Sequence, residues 1–136
     1  MMLWILAGLL ALVPTLAAVD LFVLKRGVRL TWIVDGIHTD YRLRLNSWLP
    51  RLLGSGGTTI GDEVHIAGPR VSAWLLSHEV AHVVRGKGGT GRYLWRYLTS
   101  KRFRVDEELA CNLWAQLHHQ ETHPRWVERD IRKKGG

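Results

Sequence analysis

Hydrophobic and polar positions change their spacing several times along this chain, and each change marks an element. Residues 2–19, MLWILAGLLALVPTLAAV, carry no charged side chain; after Asp20 the apolar run resumes in LFVL and stops at Lys25-Arg26. A run of that length can cross a hydrocarbon core as a helix. From 28 to 34, VRLTWIV is β-branched and aromatic and closes on Asp35-Gly36, which predicts a strand. In IHTDYRLRLNSWLPRLLG, Tyr41, Leu43 and Leu45 alternate as in a strand, whereas Leu45, Trp48, Leu49, Leu52 and Leu53 follow helical spacing. A helix ending before Gly54 is the preferred reading. TTI and EVHIA flank Gly61-Asp62 and predict a small hairpin.

Pro69 then stands near a helix start, and Gly86, Gly88, Gly89 and Gly91 mark its end, so a helix is predicted over roughly 71–85. A shorter helix is expected in RYLWRYLTS and a longer one in VDEELACNLWAQLHHQ, with HPRWVERDIRKKGG as a basic tail. The pattern is α+β: residues 1–26 form a transmembrane anchor, and 27–136 form one small domain.

A cleaved signal peptide and a buried core helix compete with the anchor, since TLA at 15–17 resembles a cleavage site. No Lys or Arg precedes the apolar run, so the positive n-region of a signal peptide is missing. Lys25, Arg26, Arg29, Arg42 and Arg44 follow the run, and the positive-inside rule puts the domain in the cytoplasm. The single Cys111 cannot form an intrachain disulfide and suits a reducing compartment. The net charge of +7 beside a span fits contact with anionic lipid head groups. Nucleic-acid binding is disfavoured, because no recognised binding motif accompanies the charge.

Candidate chemistry concentrates in WLLSHEVAHVVRG, residues 74–86. On a helix, His78 and His82 lie about 40° apart around the axis and about 6 Å apart along it, so both imidazoles can bind one ion. Zinc takes neutral imidazoles, and three protein ligands leave a position for water. Glu79, rotated by about 100° from His78, stays off the ion but can reach that water. A metzincin arrangement fails, because its glycine and third-histidine positions hold Arg85 and Gly88.

DEELACNLWA, residues 106–115, offers acidic candidates for the third ligand. Here the chain resembles the gluzincins, zinc peptidases whose third ligand is a glutamate on a separate helix, and in particular their minimal, minigluzincin-like members. The family's pattern of glutamate, two residues, a small residue, Asp or Asn, one residue, an aromatic and a small residue matches Glu108, Cys111, Asn112, Trp114 and Ala115; counting from Glu107 fits less well. The likeness covers about residues 57–117 and implies a zincin-like domain with zinc on His78, His82 and Glu108, and Glu79 as general base. Glu108 and Asn112 are four apart on one helix face, from which Asn112 can accept a hydrogen bond from the far nitrogen of a ligand histidine. Leu109, Leu113 and Leu117 are expected to hold this helix against the core. Asn112 in place of the commoner aspartate, and the N-terminal span, depart from the minimal pattern. The alternative for Glu107 and Glu108 is charge at a helix N-terminus, complementing the macrodipole.

His118, His119 and His123 are read as a solvated cluster, and His65 as facing one side of a strand; His38 is isolated. Tyr93 and Tyr97 could donate a hydrogen bond to a tetrahedral oxyanion, but core or interface packing is the preferred reading. The expectation is a membrane-anchored zinc metallopeptidase acting on peptide or protein substrates. A zinc-holding interaction domain and a protease of nucleic-acid-bound proteins are the alternatives.

Overall fold

The computed structural model describes residues 1–24, 26–34, 37–87 and 89–119. Helix α1 (Met2–Ala18) runs without a break through Pro14 into a π-helical segment, Val19–Leu24. An 18-residue window within Met2–Leu21 has a mean hydropathy of 2.3 and no residue buried in the molecule, so this helix is long and apolar enough to cross a membrane; Leu21, at its foot, is buried.

Asp20, the one charge in that helix, turns toward the domain. It accepts hydrogen bonds from Arg44 Nη1 and Trp48 Nε1, each at 2.6 Å, and lies 3.5 Å from Arg26. These contacts fasten the foot of the helix to the fold.

Strands β1 (Val28–Val34), β2 (Ile37–Arg44), β3 (Gly57–Ile60) and β4 (Glu63–Ile66) make one sheet in the order β1-β2-β4-β3. β1 and β2 pair antiparallel with Leu30 opposite Tyr41, β2 and β4 pair parallel with Leu43 opposite Val64, and β3 and β4 close antiparallel. Asp35-Gly36, expected to close the first strand, lies outside the described residues. The predicted strand 28–34 and the hairpin are present, but residues 37–44 form a strand and not the start of a helix. Thr39, Tyr41 and Leu43 are buried with a period of two, which fixes them as one face of the sheet. Helical spacing takes hold only in α2 (Trp48–Leu53), which the Ser47 hydroxyl caps at Leu49 N and Gly54 ends with a φ of 70°.

Helix α3 (Ala73–Arg85) starts where Ser72 Oγ accepts from Leu75 N at 3.1 Å. Its Leu76, Val80 and Val83 pack on the sheet face formed by Leu30, Trp32, Tyr41, Leu43, Val64 and Ile66, and this is the core. The other side of β4 carries His65, buried, whose Nδ1 lies 2.8 Å from Ser47 Oγ. Burial pulls His65 down to about 4, so it is neutral and its 3.4 Å approach to Glu63 is no ion pair at pH 7.

Helices α4 (Thr90–Thr99) and α5 (Lys101–His118) follow, the latter capped by Ser100 Oγ at Phe103 N. α5 lies against α3, but not through the expected leucines. Leu109, Leu113 and Leu117 are 61–65% exposed, and the buried face is Glu107, Cys111 and Ala115. Small residues at the contact let the two helix axes approach closely, which leaves the large side chains outside. The basic tail and His123 lie outside the described residues.

Candidate metal centre

α3 turns His78, Glu79 and His82 inward, all buried, and α5 brings Glu108 across to them. His78 Nε2 lies 3.0 Å from Glu108 Oε2, and His82 Nε2 lies 3.2 Å from Glu108 Oε1. One donor atom from each of His78, His82 and Glu108 falls within 4.8 Å of the other two, so these three residues can hold a metal ion. Tetrahedral ligands at about 2.0–2.1 Å stand roughly 3.3 Å from one another, close to these two distances.

Glu107 is directed elsewhere. It is buried and accepts from Arg85 Nε and Nη2, both at 2.7 Å, and from Tyr93 Oη at 3.1 Å. Hydrogen bonding from Arg85 holds its carboxyl below the usual range. The macrodipole reading fails for both glutamates, since α5 begins at Lys101 and has no acid in its first turn.

Behind His82 this arrangement decides a tautomer. Tyr93 Oη sits 2.9 Å from His82 Nδ1 and has one proton to give, which goes to the ionised Glu107. His82 Nδ1 must therefore be the donor to Tyr93, which turns Nε2 toward the Glu108 carboxylate. Tyr93 is thus more than a packing residue. Tyr97 also acts at the site, donating to Glu108 Oε1. Hydrogen bonds from His78 and His82, helped by Tyr97, hold the Glu108 carboxyl far below the usual range. For both tyrosines, burial beside carboxylates raises the phenol pKa and keeps it protonated.

His78 stacks on Trp74 with ring centroids 5.4 Å apart. Burial opposes its protonation, yet the bond to Glu108 and the charges of Glu79 and Glu108 outweigh burial and raise its pKa. Asn112 adds to that upward pull, but His78 Nδ1 is buried without a hydrogen bond, so the expected bond from the far nitrogen to Asn112 is not formed.

Glu79 lies under the edge strand. Its Oε2 accepts from Thr59 Oγ1 at 2.6 Å, and the same hydroxyl lies 3.1 Å from the Glu79 carbonyl. Burial raises the Glu79 pKa, with Thr59 acting against it. Gly57 closes the other side, where a Cβ would come within 2.9 Å of Glu79 Oε1. A cavity of about 710 Å³ opens over His78, Glu79, His82 and Glu108, with β3 along one wall and Leu53, Leu94 and Leu98 among its apolar lining.

No family model, curated protein or solved structure matches this chain. Thr59 and Gly57 were not foreseen as site residues, and Tyr93 and Tyr97, read as packing, contact the ligands themselves. For the tyrosines a signal existed, since positions four apart share a helix face. Thr59 and Gly57 meet Glu79 only through tertiary packing. Among the described residues, His118 and His119 are not part of the cluster: His118 packs on Trp114 and His119 Nδ1 meets Ala115 O.

Proposed function

We propose that this chain is a membrane-anchored zinc metallopeptidase, with zinc held by His78, His82 and Glu108. The observation that carries the reading is the pair of acceptors at His82. With Nδ1 committed to Tyr93, Nε2 stands 3.2 Å from a carboxylate oxygen, and a metal ion taking the place of a bridging proton would be held by both. Two imidazoles and one carboxylate suit zinc, and three protein ligands beside an open cavity suit catalysis better than a structural site, which closes the fourth position.

When bound, zinc supplies a Lewis acid that polarises a carbonyl and lowers the pKa of water. Glu79, pinned by Thr59 with its pKa raised by burial, takes a proton from the attacking water and passes it to the leaving amine. Strand β3 is the sheet edge lining the cavity, and an extended peptide can pair with it through main-chain hydrogen bonds.

The Met2–Leu21 helix serves as a single-pass anchor, with the basic residues after it on the cytoplasmic side. The test has two parts. Purified chain should contain one equivalent of zinc and cleave an unfolded polypeptide, and a chelator should stop cleavage. Metal-free protein that neither takes up zinc nor cleaves would refute the reading.

A further inference from the structure

The foot of the N-terminal helix and the mouth of the cavity are joined by one short element. Trp48, the first residue of α2, donates to Asp20 at the end of the span, and Leu53, the last, lines the cavity. At 1.5 Å per residue the two are only about 8 Å apart along the helix. α2 carries exposed Leu52 and Leu53 together with exposed Arg51.

α4 supplies more of the same lip. On its helical wheel Tyr93 and Tyr97 point to the metal centre and Leu94 and Leu98 line the cavity. Trp95 follows at 69% exposure, then Arg92 and Arg96. An apolar arc ending in an exposed tryptophan and bordered by arginines is the composition of a helix that lies in a lipid head-group layer. Arg92, exposed beside Trp95, complements anionic head groups while its stem covers apolar surface; the Arg96 guanidinium stacks over Phe103, 4.2 Å from its centroid.

We propose that the cavity lip, Leu52 and Leu53 of α2 with Trp95 and Leu98 of α4, is inserted in the head-group layer of an anionic bilayer. The cavity then opens along the lipid surface. Its substrates are polypeptide segments at the membrane surface, not peptides free in solution. The inference rests on the anchor reading for bringing the domain to a bilayer and on the peptidase reading for the substrate.

The test uses the full chain in vesicles of zwitterionic lipid with or without anionic lipid. Single Leu53→Cys, Leu98→Cys and His38→Cys variants carry an environment-sensitive dye, and Cys111, fully buried, stays unlabelled. His38 is exposed and six residues along β2 from Arg44, hence about 20 Å from the anchor's foot. Zinc content checks that each variant is folded. Lipid carrying a shallow quencher should remove roughly half of the emission at 53 and 98, more with anionic lipid, and leave 38 bright. If the chain stays in the vesicles while 53 and 98 remain as bright as 38, the lip is not in the bilayer and the inference fails alone. If those positions respond only to added peptide, the lip is a peptide subsite and the inference fails as well. A chain that alkaline carbonate washes off the vesicles would remove the anchor reading and the inference together.

Discussion

The Thr59 hydroxyl lies 2.6 Å from the Glu79 carboxylate, fastening the edge strand of the sheet to the helix that carries both histidines. Thr59→Val keeps the shape and removes the donor. The freed carboxylate should sample more rotamers, and hydrolysis is expected to fall by about 10-fold, the worth of one hydrogen bond to a charged group, with zinc content unchanged. Equal rates for Thr59→Val and the parent chain would mean that this contact does not position the base.

Gly57 gives an independent handle on the same carboxylate. A Cβ there meets Glu79 Oε1 at 2.9 Å, and no positive φ makes alanine strained. Gly57→Ala should displace Glu79 by a fraction of an ångström and lower the rate by up to about 10²-fold, again without loss of zinc. Loss of zinc in parallel with rate would show that the whole of α3 had moved.

Much of this site could be read from the chain, and the reason lies in which contacts are local. His78, Glu79 and His82 share one helix, so their relative geometry follows from helical spacing. The β3–β4 hairpin likewise follows from local alternation about Gly61-Asp62. Glu108 sits on another helix, and only a resemblance in residue pattern singled it out over Glu107. What the chain concealed was long-range. Leu109, Leu113 and Leu117 look like a core stripe, but the α3–α5 contact is made by Cys111 and Ala115, where absence of bulk decides the packing. Residues 41–53 carried alternation and helical spacing that overlap at Leu45, and pairing of 37–44 with β1 and β4 settled where the strand ends.

The hydrogen bonds behind His82 should tune affinity for the metal. Tyr93→Phe removes the acceptor for His82 Nδ1–H, so the imidazole loses its fixed tautomer, and zinc affinity is expected to drop by about 10- to 100-fold. Competition with a chromogenic chelator measures it. An unchanged dissociation constant would leave Tyr93 a packing residue.

His65 should make the fold acid-sensitive. Burial lowers its folded pKa from 6.5 to about 4, so between those values the unfolded chain binds the extra proton. Its stabilising contribution is complete above pH 6.5 and is lost as pH falls toward 4, amounting to about 3 kcal/mol at full extent. Thermal unfolding of the parent chain and of His65→Gln across that window checks the sign. A variant whose acid dependence matches the parent's would show that other groups govern it.

The most direct measurement is a zinc titration joined to peptide hydrolysis on three variants, Glu79→Gln, Glu108→Gln and Glu107→Gln. Glu79→Gln cannot take the proton but leaves His78, His82 and Glu108 intact, so zinc should stay at one equivalent while hydrolysis falls by about 10² to 10⁴. Glu108→Gln should weaken zinc binding itself. Glu107→Gln, which only loosens the hold on Arg85 and Tyr93, should keep zinc with a milder loss of affinity. Undiminished hydrolysis in Glu79→Gln, or full zinc affinity in Glu108→Gln with loss in Glu107→Gln, would contradict the roles assigned to these carboxylates.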